Sequence, residues 1–183
     1  MLDMEIIKRR KESFSDSFFD EETLSFIERL GNEIRNNKRK IFICGNGGSA
    51  SQASHFAAEL MGRYRKKKNC YFAIPIGSDY AINTALSNDF GYENSYALQI
   101  ENLAEEGDIL VALSASGNSN NIIRALEKGG ELKMFRCLFS GKKGGKATKF
   151  ADLCYVDKSD DTAIIQEHHL ILIHLICEYL ENE

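Results

Sequence analysis

Five short runs rich in β-branched and aromatic residues alternate with helical segments along this chain, and this alternation is the strongest constraint on its fold. Each run is bounded by glycine, asparagine or serine, and the runs cover residues 40–44, 70–76, 108–113, 133–139 and 152–156. Strands that alternate with helices form parallel sheets, and strands with few polar residues need helices on both faces. The sequence therefore predicts an α/β fold built on a five-stranded parallel sheet.

Helical patterns fill the segments between these strands, at 49–63, 79–86, 92–105 and 119–128, with a turn or two at 145–150. A last helix covers about 162–180, and two more, 2–13 and 21–36, precede the first strand. Because the helices at 2–13 and 21–36 lie outside any βα repeat, we expect them to pack outside the sheet or on a second subunit. The predicted organisation is a helical extension for assembly at 1–39, followed by one domain at 40–183.

Composition excludes several classes of partner. With 43% apolar and 27% charged residues among 183, the chain can bury one core. A net charge of −4 indicates no general attraction to nucleic acid or anionic membranes, and no apolar run approaches the roughly 18 residues of a membrane span. The cysteines lack CxxC spacing and are expected to be reduced core residues: Cys44, Cys70, Cys137, Cys154 and Cys177. These features predict a cytoplasmic protein that binds neither nucleic acid nor membranes.

Two loops that follow predicted strands carry chemistry suited to a phosphate. The first, at 45–48, has three glycines in four positions, and Ser49 can cap the next helix. The second, at 114–119, has three serines at the start of a helix, where hydroxyls, amides and the helix dipole can hold a dianion. Ligands of open parallel sheets bind beyond the carboxyl ends of the strands. Together the loops predict a site for a phosphorylated small molecule, although the first alone would also suit a plain tight turn.

Two further segments are open to more than one interpretation. Asn88 and Asp89, within 87–91, could bind sugar hydroxyls or could close a turn with their side chains. The basic run at 63–68 could be a solvated turn, or Arg63 could face a phosphate. Neither segment identifies a site by itself.

All four histidines lie in two helical segments. His55 and Glu59 are spaced i, i+4 and so share one helix face, a common arrangement for two metal ligands. A half-buried structural histidine is the alternative for His55. The pairing with Glu59 close to a phosphate-type loop favours the metal or proton-transfer interpretation.

On the last helix, His169 follows Gln166 by three residues and His174 follows it by eight. An offset of eight residues is about 12 Å along a helix axis. Spacing alone therefore favours Gln166 and His169 as ligands of one metal. His168 points elsewhere and is expected to face solvent or an interface.

In order along the chain, these motifs resemble those of the phosphoheptose isomerases, members of the sugar isomerase domain superfamily. The matching segments are GNGGS at 45–49, HFAAEL at 55–60, GRY at 62–64, NDFG at 88–91, GD at 107–108, SASGNS at 114–119, and IQEHH at 165–169 with His174. The resemblance implies a flavodoxin-like sheet and a homotetramer with active sites between subunits. It also implies conversion of sedoheptulose 7-phosphate to D-glycero-D-manno-heptose 7-phosphate, the first step of bacterial heptose biosynthesis for lipopolysaccharide or capsule.

The resemblance also implies roles for individual residues. Glu59 and His174 would transfer protons through an enediol. One zinc ion per subunit would be held by His55, Glu59, Gln166 and His174, which replaces the spacing preference for His169. Substrate contacts would be Asn46, Gly47, Gly48, Glu59, Asn88, Asp89, Ser114, Ala115, Ser116, Ser119 and Gln166, with Arg63 as a further contact.

Two positions depart from the family pattern. Ala115 stands where the family usually has threonine, which predicts phosphate binding weaker by about 1 kcal/mol. Ile164 stands where the family often has arginine, which leaves the substrate preference open. The alternative function is a non-catalytic tetrameric regulator of the same fold, of the type that associates with the bacterial replication initiator. That regulator lacks the second histidine, so the presence of His174 with Glu59 favours the enzyme.

Overall fold

The computed structural model describes residues 4–14, 18–37, 39–66 and 71–182 and contains a wholly parallel five-stranded sheet. The strands are β1 (Ile41–Gly45), β2 (Ala73–Pro75), β3 (Ile109–Ser114), β4 (Phe135–Ser140) and β5 (Leu153–Val156). Their order, β2-β1-β3-β4-β5, is the flavodoxin-like arrangement. The prediction of a flavodoxin-like α/β fold is confirmed. Cys70, placed at the start of the second strand by its sequence, lies outside the described residues.

Seven α-helices and two short 3-10 helices surround the sheet in the part of the chain that the structure describes. The α-helices are α1 (Met4–Ser13), α2 (Glu21–Asn37), α3 (Gly48–Met61), α4 (Tyr80–Phe90), α5 (Ser95–Leu103), α6 (Asn120–Glu131) and α7 (Thr162–Glu181). The 3-10 helices are Tyr92–Asn94 and Lys146–Phe150. None of the described helices combines the length and the apolar character needed to cross a membrane.

Two hydrophobic clusters lie on opposite faces of the sheet, because successive side chains of a strand point to opposite sides. Ile41 and Ile43 of β1 belong to the cluster that includes residues of α2, α3 and α7. Phe42 and Cys44 belong to the cluster that includes residues of α5 and α6. The sheet is therefore covered by helices on both faces, as its apolar strands predicted.

The two N-terminal helices pack in different ways. Phe26 and Leu30 of α2 are buried in the same cluster as α7, at 3% and 0% exposure, so α2 contributes to the core of the domain. α1 has no buried residue and is joined to α7 by an ion pair, with Arg10 Nε 2.9 Å from Glu167 Oε1. An assembly role for residues 1–39 stays a prediction, and half of that segment belongs to the packed domain.

The helix expected at 79–86 continues to Phe90. Asp79 caps its start by accepting a hydrogen bond from the backbone N–H of Ile82, and Gly91 ends it with a φ of +85°, which glycine adopts without strain. Asn88 and Asp89, which the sequence allowed either to close a turn or to bind sugar hydroxyls, therefore lie in the last turn of α4. The Asn88 amide donates to Asp89 Oδ1 at 2.8 Å.

Candidate active site

The loops that follow β1 and β3 lie side by side at the carboxyl edge of the sheet, since Gly45 of β1 is in register with Leu113 of β3. They border a cavity of about 250 Å³, called the loop cavity below. Its lining residues are Asn46, Ser49, Leu113, Ser114, Ala115, Ser116, Ser119, Thr162 and Gln166. Most of these positions were predicted as substrate contacts. The sequence motifs gave no role to Leu113 or Thr162, which only the fold brings to this edge.

The serine-rich loop offers unused donors at a helix start. Ser119 occupies the N-cap position of α6 and lines the loop cavity, and its hydroxyl makes no capping hydrogen bond. Gly117 has a φ of +60°, and a Cβ there would lie 1.8 Å from the carbonyl oxygen of Gly144. Glycine is therefore required for this loop to pack against its neighbour. The loop thus presents hydroxyls and the positive end of α6 to the cavity.

The glycine-rich loop brings α3 close to α7. A Cβ on Gly48 would lie 2.7 Å from Gln166 Oε1, so the absence of a side chain lets Gln166 approach. The expectation that Ser49 caps α3 is wrong, because the helix begins at Gly48 with Gly47 as its N-cap residue. Ser49 is instead 3% exposed, and its hydroxyl lies 3.4 Å from Gln166 Nε2.

Ala115 and Ile164, the two positions that depart from the family pattern, both lie within the described part of the chain. Ala115 is half-buried in the loop cavity, where a methyl group stands in place of a hydroxyl. Ile164 is only 3% exposed in the first turns of α7. The position where the family often has a cation is therefore an apolar packing position within this chain.

His55, Glu59 and His174 form a cluster between α3 and α7. His55 Nε2 lies 3.0 Å from His174 Nε2 and 3.6 Å from Glu59 Oε1. The side chains of His55 and Glu59 are 41% and 22% exposed, so solvent and small molecules can reach them. Tyr64 packs beside this cluster, with its ring centroid 5.7 Å from that of His174, and its hydroxyl donates to Glu178 at 3.1 Å.

The donor atoms of this cluster are those that zinc prefers, since imidazole nitrogen and carboxylate oxygen are common zinc ligands. Among residues 4–14, 18–37, 39–66 and 71–182, no three His, Cys, Asp or Glu side chains are arranged as a metal site. Gln166, the fourth predicted ligand, faces Gly48 and Ser49. Three predicted ligands are thus neighbours, while the side chain of Gln166 is turned to the loop cavity.

The two remaining histidines lie inside the protein. His168 is 4% exposed, with Nδ1 2.6 Å from Asp157 Oδ2, and its ring packs against Phe18. The expectation that His168 faces solvent or an interface is therefore wrong, because its side chain is buried within the chain. His169 is fully buried and its Nε2 lies 3.1 Å from the carbonyl oxygen of Ser140. Burial lowers the pKa of His169 to about 4, so it is neutral near pH 7.

The other predicted contacts lie outside the loop cavity. Asn88 and Asp89 are exposed on α4, a helix without a buried residue. Arg63 is exposed and borders a small cavity of about 20 Å³ with Glu59 and Tyr64. Lys67 and Lys68 of the basic run lie outside the described residues.

Known proteins share both the sequence and the fold. A family model described as SIS domain matches residues 21–135. Curated phosphoheptose isomerases are similar: one from Helicobacter pylori (strain ATCC 700392 / 26695) is 45% identical over 82% of this chain and 78% of its own length. Phosphoheptose isomerase 1 of Campylobacter jejuni is 46% identical over 78% of this chain and 77% of its own.

Solved structures agree with these sequence relatives. A phosphoheptose isomerase from Francisella tularensis superposes with a TM-score of 0.89 at 29% identity, over 100% of both chains. One from Neisseria gonorrhoeae gives a TM-score of 0.83 at 33% identity, over 98% of this chain and 95% of that one. These matches in sequence and fold lead to one conclusion: the chain is a SIS-domain protein and belongs to the phosphoheptose isomerase family.

Proposed function

We propose that this protein isomerises sedoheptulose 7-phosphate to D-glycero-D-manno-heptose 7-phosphate. The observation that carries the proposal is the layout of α7. Gln166 borders the loop cavity and His174 lies in the cluster with His55 and Glu59, about 12 Å further along the helix axis. In the substrate, the phosphate on C7 and the reacting carbons C1 and C2 are at opposite ends. One extended molecule can therefore place its phosphate in the loop cavity and its carbonyl end beside the cluster.

The residues of the cluster suit a ketose to aldose conversion. Glu59 removes a proton from C1, which gives an enediol, and returns a proton to C2. His174 transfers the hydroxyl proton between O1 and O2, so that the net change moves two hydrogens and leaves the formula unchanged. The hydroxyls of Ser116 and Ser119 and the N-terminus of α6 hold the phosphate at the other end.

A zinc ion is part of the proposal. His55, Glu59 and His174 would hold it, and Gln166, the fourth ligand that the resemblance implies, borders the loop cavity in this structure. When bound, the ion would polarise the substrate carbonyl. The support is the 3.0 Å approach of the two imidazole nitrogens beside a carboxylate.

We also propose that the active form is a homotetramer with sites between subunits. α4 has no buried residue and exposes Tyr80, Ile82 and Phe90 at 83%, 49% and 56%. Burying these side chains against a second copy would remove apolar surface from water. The same contact would carry Asn88 and Asp89 toward a neighbouring copy's loop cavity. A cytoplasmic location is proposed from the unpaired thiols, of which Cys44, Cys137 and Cys177 are buried.

A non-catalytic regulator of the same fold is the alternative, and the position of His174 argues against it. A regulator has no need of a carboxylate and two facing imidazoles at a solvent-accessible position. Purified protein should convert sedoheptulose 7-phosphate to the aldose phosphate, measured by chromatographic separation of the two isomers. If the zinc-loaded tetramer binds the ketose without turnover, the isomerase proposal is wrong and the regulator remains.

A further inference from the structure

The side chain of Asn46, at the edge of the loop cavity, is held by residues to which no role in the reaction has been given. Asn46 Nδ2 donates to Asn121 Oδ1 at 2.9 Å, and Asn121 Nδ2 donates back to Asn46 Oδ1 at 2.8 Å. The hydroxyl of Tyr92 also donates to Asn46 Oδ1, at 2.7 Å. Asn121 is 3% exposed in the first turn of α6. The reciprocal pair therefore joins the loop after β1 to the helix after β3.

A fourth residue, Tyr96, fixes the backbone at the same point. Its hydroxyl has one hydrogen, which it donates to the carbonyl oxygen of Gly45. The same hydroxyl lies 3.1 Å from Asn46 Oδ1 but has no second hydrogen to give. Burial raises the pKa of Tyr96, which keeps it protonated and able to donate.

These contacts determine which end of the Asn46 amide faces which neighbour. A carbonyl oxygen has two lone pairs, and those of Asn46 are taken by Asn121 and Tyr92. Rotating the amide by 180° would set nitrogen against nitrogen and oxygen against oxygen across the pair with Asn121. The second Nδ2 hydrogen of Asn46 has no partner among the described residues, and Asn46 lines the loop cavity.

We infer that Asn121 is a positioning residue, which orients the Asn46 amide so that its free N–H is donated to an oxygen of the bound sugar phosphate. The inference rests on the proposed function, because it requires that the sugar phosphate occupies the loop cavity. Asn121 touches no substrate atom in this assignment. Its effect passes through Asn46, and Tyr92 reinforces it from the segment after α4.

The test compares Asn121→Asp with Asn120→Asp. In Asn121→Asp a second oxygen replaces Nδ2 and faces Asn46 Oδ1, so the amide loses its orientation while the shape of the residue is kept. Asn120 is exposed and is the preceding residue of the same helix, so Asn120→Asp adds the same charge without touching the pair. We expect Asn121→Asp to weaken sedoheptulose 7-phosphate binding about five- to tenfold, the size of one hydrogen bond.

Binding is measured by isothermal titration calorimetry, and the change in KM is expected to exceed the change in kcat. Asn120→Asp is expected to lose clearly less affinity than Asn121→Asp. Equal losses in the two variants would mean that added charge, rather than orientation, is responsible, and would overturn the inference. If Asn121→Asp does not fold, Tyr92→Phe removes one donor to Asn46 at a residue that is 49% exposed, and should weaken binding about two- to fivefold.

A double-mutant comparison tests whether the effect passes through Asn46. In an Asn46→Ala background, Asn121→Asp should cause little further loss of affinity. A full additional loss would show that Asn121 acts by another route. If the wild-type protein binds the ketose phosphate without turnover, only the isomerase proposal is overturned. The binding comparison would still decide the role of Asn121.

Discussion

The four histidines form two pairs with opposite surroundings. His55 and His174 come from different helices, remain partly exposed and face each other at 3.0 Å. His168 and His169 are neighbours in sequence, lie close to Gln166, and are 4% and 0% exposed. Each buried histidine has one ring nitrogen bound to a fixed partner. Nearness to a motif in sequence therefore does not show which histidines are accessible, whereas burial separates the two pairs.

The largest effect is expected from removing the Glu59 carboxylate, which lies beside the partly exposed pair His55 and His174. Glu59→Gln should lower kcat by about 10²- to 10⁴-fold, because a neutral amide cannot accept the proton from C1. The measurement is turnover of sedoheptulose 7-phosphate, with the melting temperature and oligomeric state as controls for folding. Near-normal turnover in this variant would remove Glu59 from its role as the base.

His174→Ala and His169→Ala compare the two pairs directly. His174→Ala should lose turnover and bound zinc while its unfolding free energy changes little, because the side chain is partly exposed. His169→Ala should keep zinc and lose about 2–3 kcal/mol of stability, because it removes a buried ring and its hydrogen bond to Ser140. Zinc is measured by mass spectrometry of the purified proteins, and stability by denaturant unfolding. If His169→Ala loses zinc and His174→Ala keeps it, the zinc ligand is His169 and the assignment to His174 is wrong.

The buried histidines, His168 and His169, should also affect how stability depends on pH. Burial lowers the pKa of His169 to about 4 in the folded protein from an ordinary value of 6.5, so the unfolded chain binds more protons between these values. Stability should therefore fall as pH drops from about 6.5 toward 4, by roughly 3 kcal/mol in total. Asp157, whose pKa is lowered by its hydrogen bond from His168 despite burial, adds a loss only at lower pH. In His169→Gln the unfolding free energy should decrease less across this pH range. If its dependence on pH is the same as in the wild type, the lowered pKa of His169 is not the cause.

The smallest effect is expected at the phosphate end of the site, away from both histidine pairs. Ser119→Ala should raise KM about fivefold, the size of one hydrogen bond, with kcat and zinc content unchanged. Its hydroxyl makes no capping bond, so the melting temperature should also change little. An unchanged KM would argue against a phosphate contact for Ser119.

The sheet was predictable because local sequence determines it. Apolar strands bounded by turn residues place β1 and β3 within one residue of their observed bounds. The end of α4 was not predictable, because Asn88 and Asp89 suit a turn as well as a last helical turn, and Gly91 decides between them.

The position of the histidines depends on packing between distant segments, which periodicity does not report. His168 is covered by Phe14 and Phe18, which precede it by about 150 residues. Spacing on α7 favoured His169, but spacing carries no information on which side of the helix the sheet lies. The short distance between His55 and His174 likewise follows from how α3 and α7 pack, which spacing along either helix does not report.

The edges of the sheet limit how copies of this chain can associate. β2 has three residues and includes Pro75, which lacks a backbone N–H, and β5 has four. Short edge strands that contain proline are poor templates for pairing with another strand. These edges therefore disfavour extension of the sheet by a second copy, and the surfaces left for association include the helices α1 and α4, neither of which has a buried residue. An assembly of four copies would keep four separate sheets joined only through helical surfaces, so variants on α1 or α4 could dissociate it while each sheet stays folded.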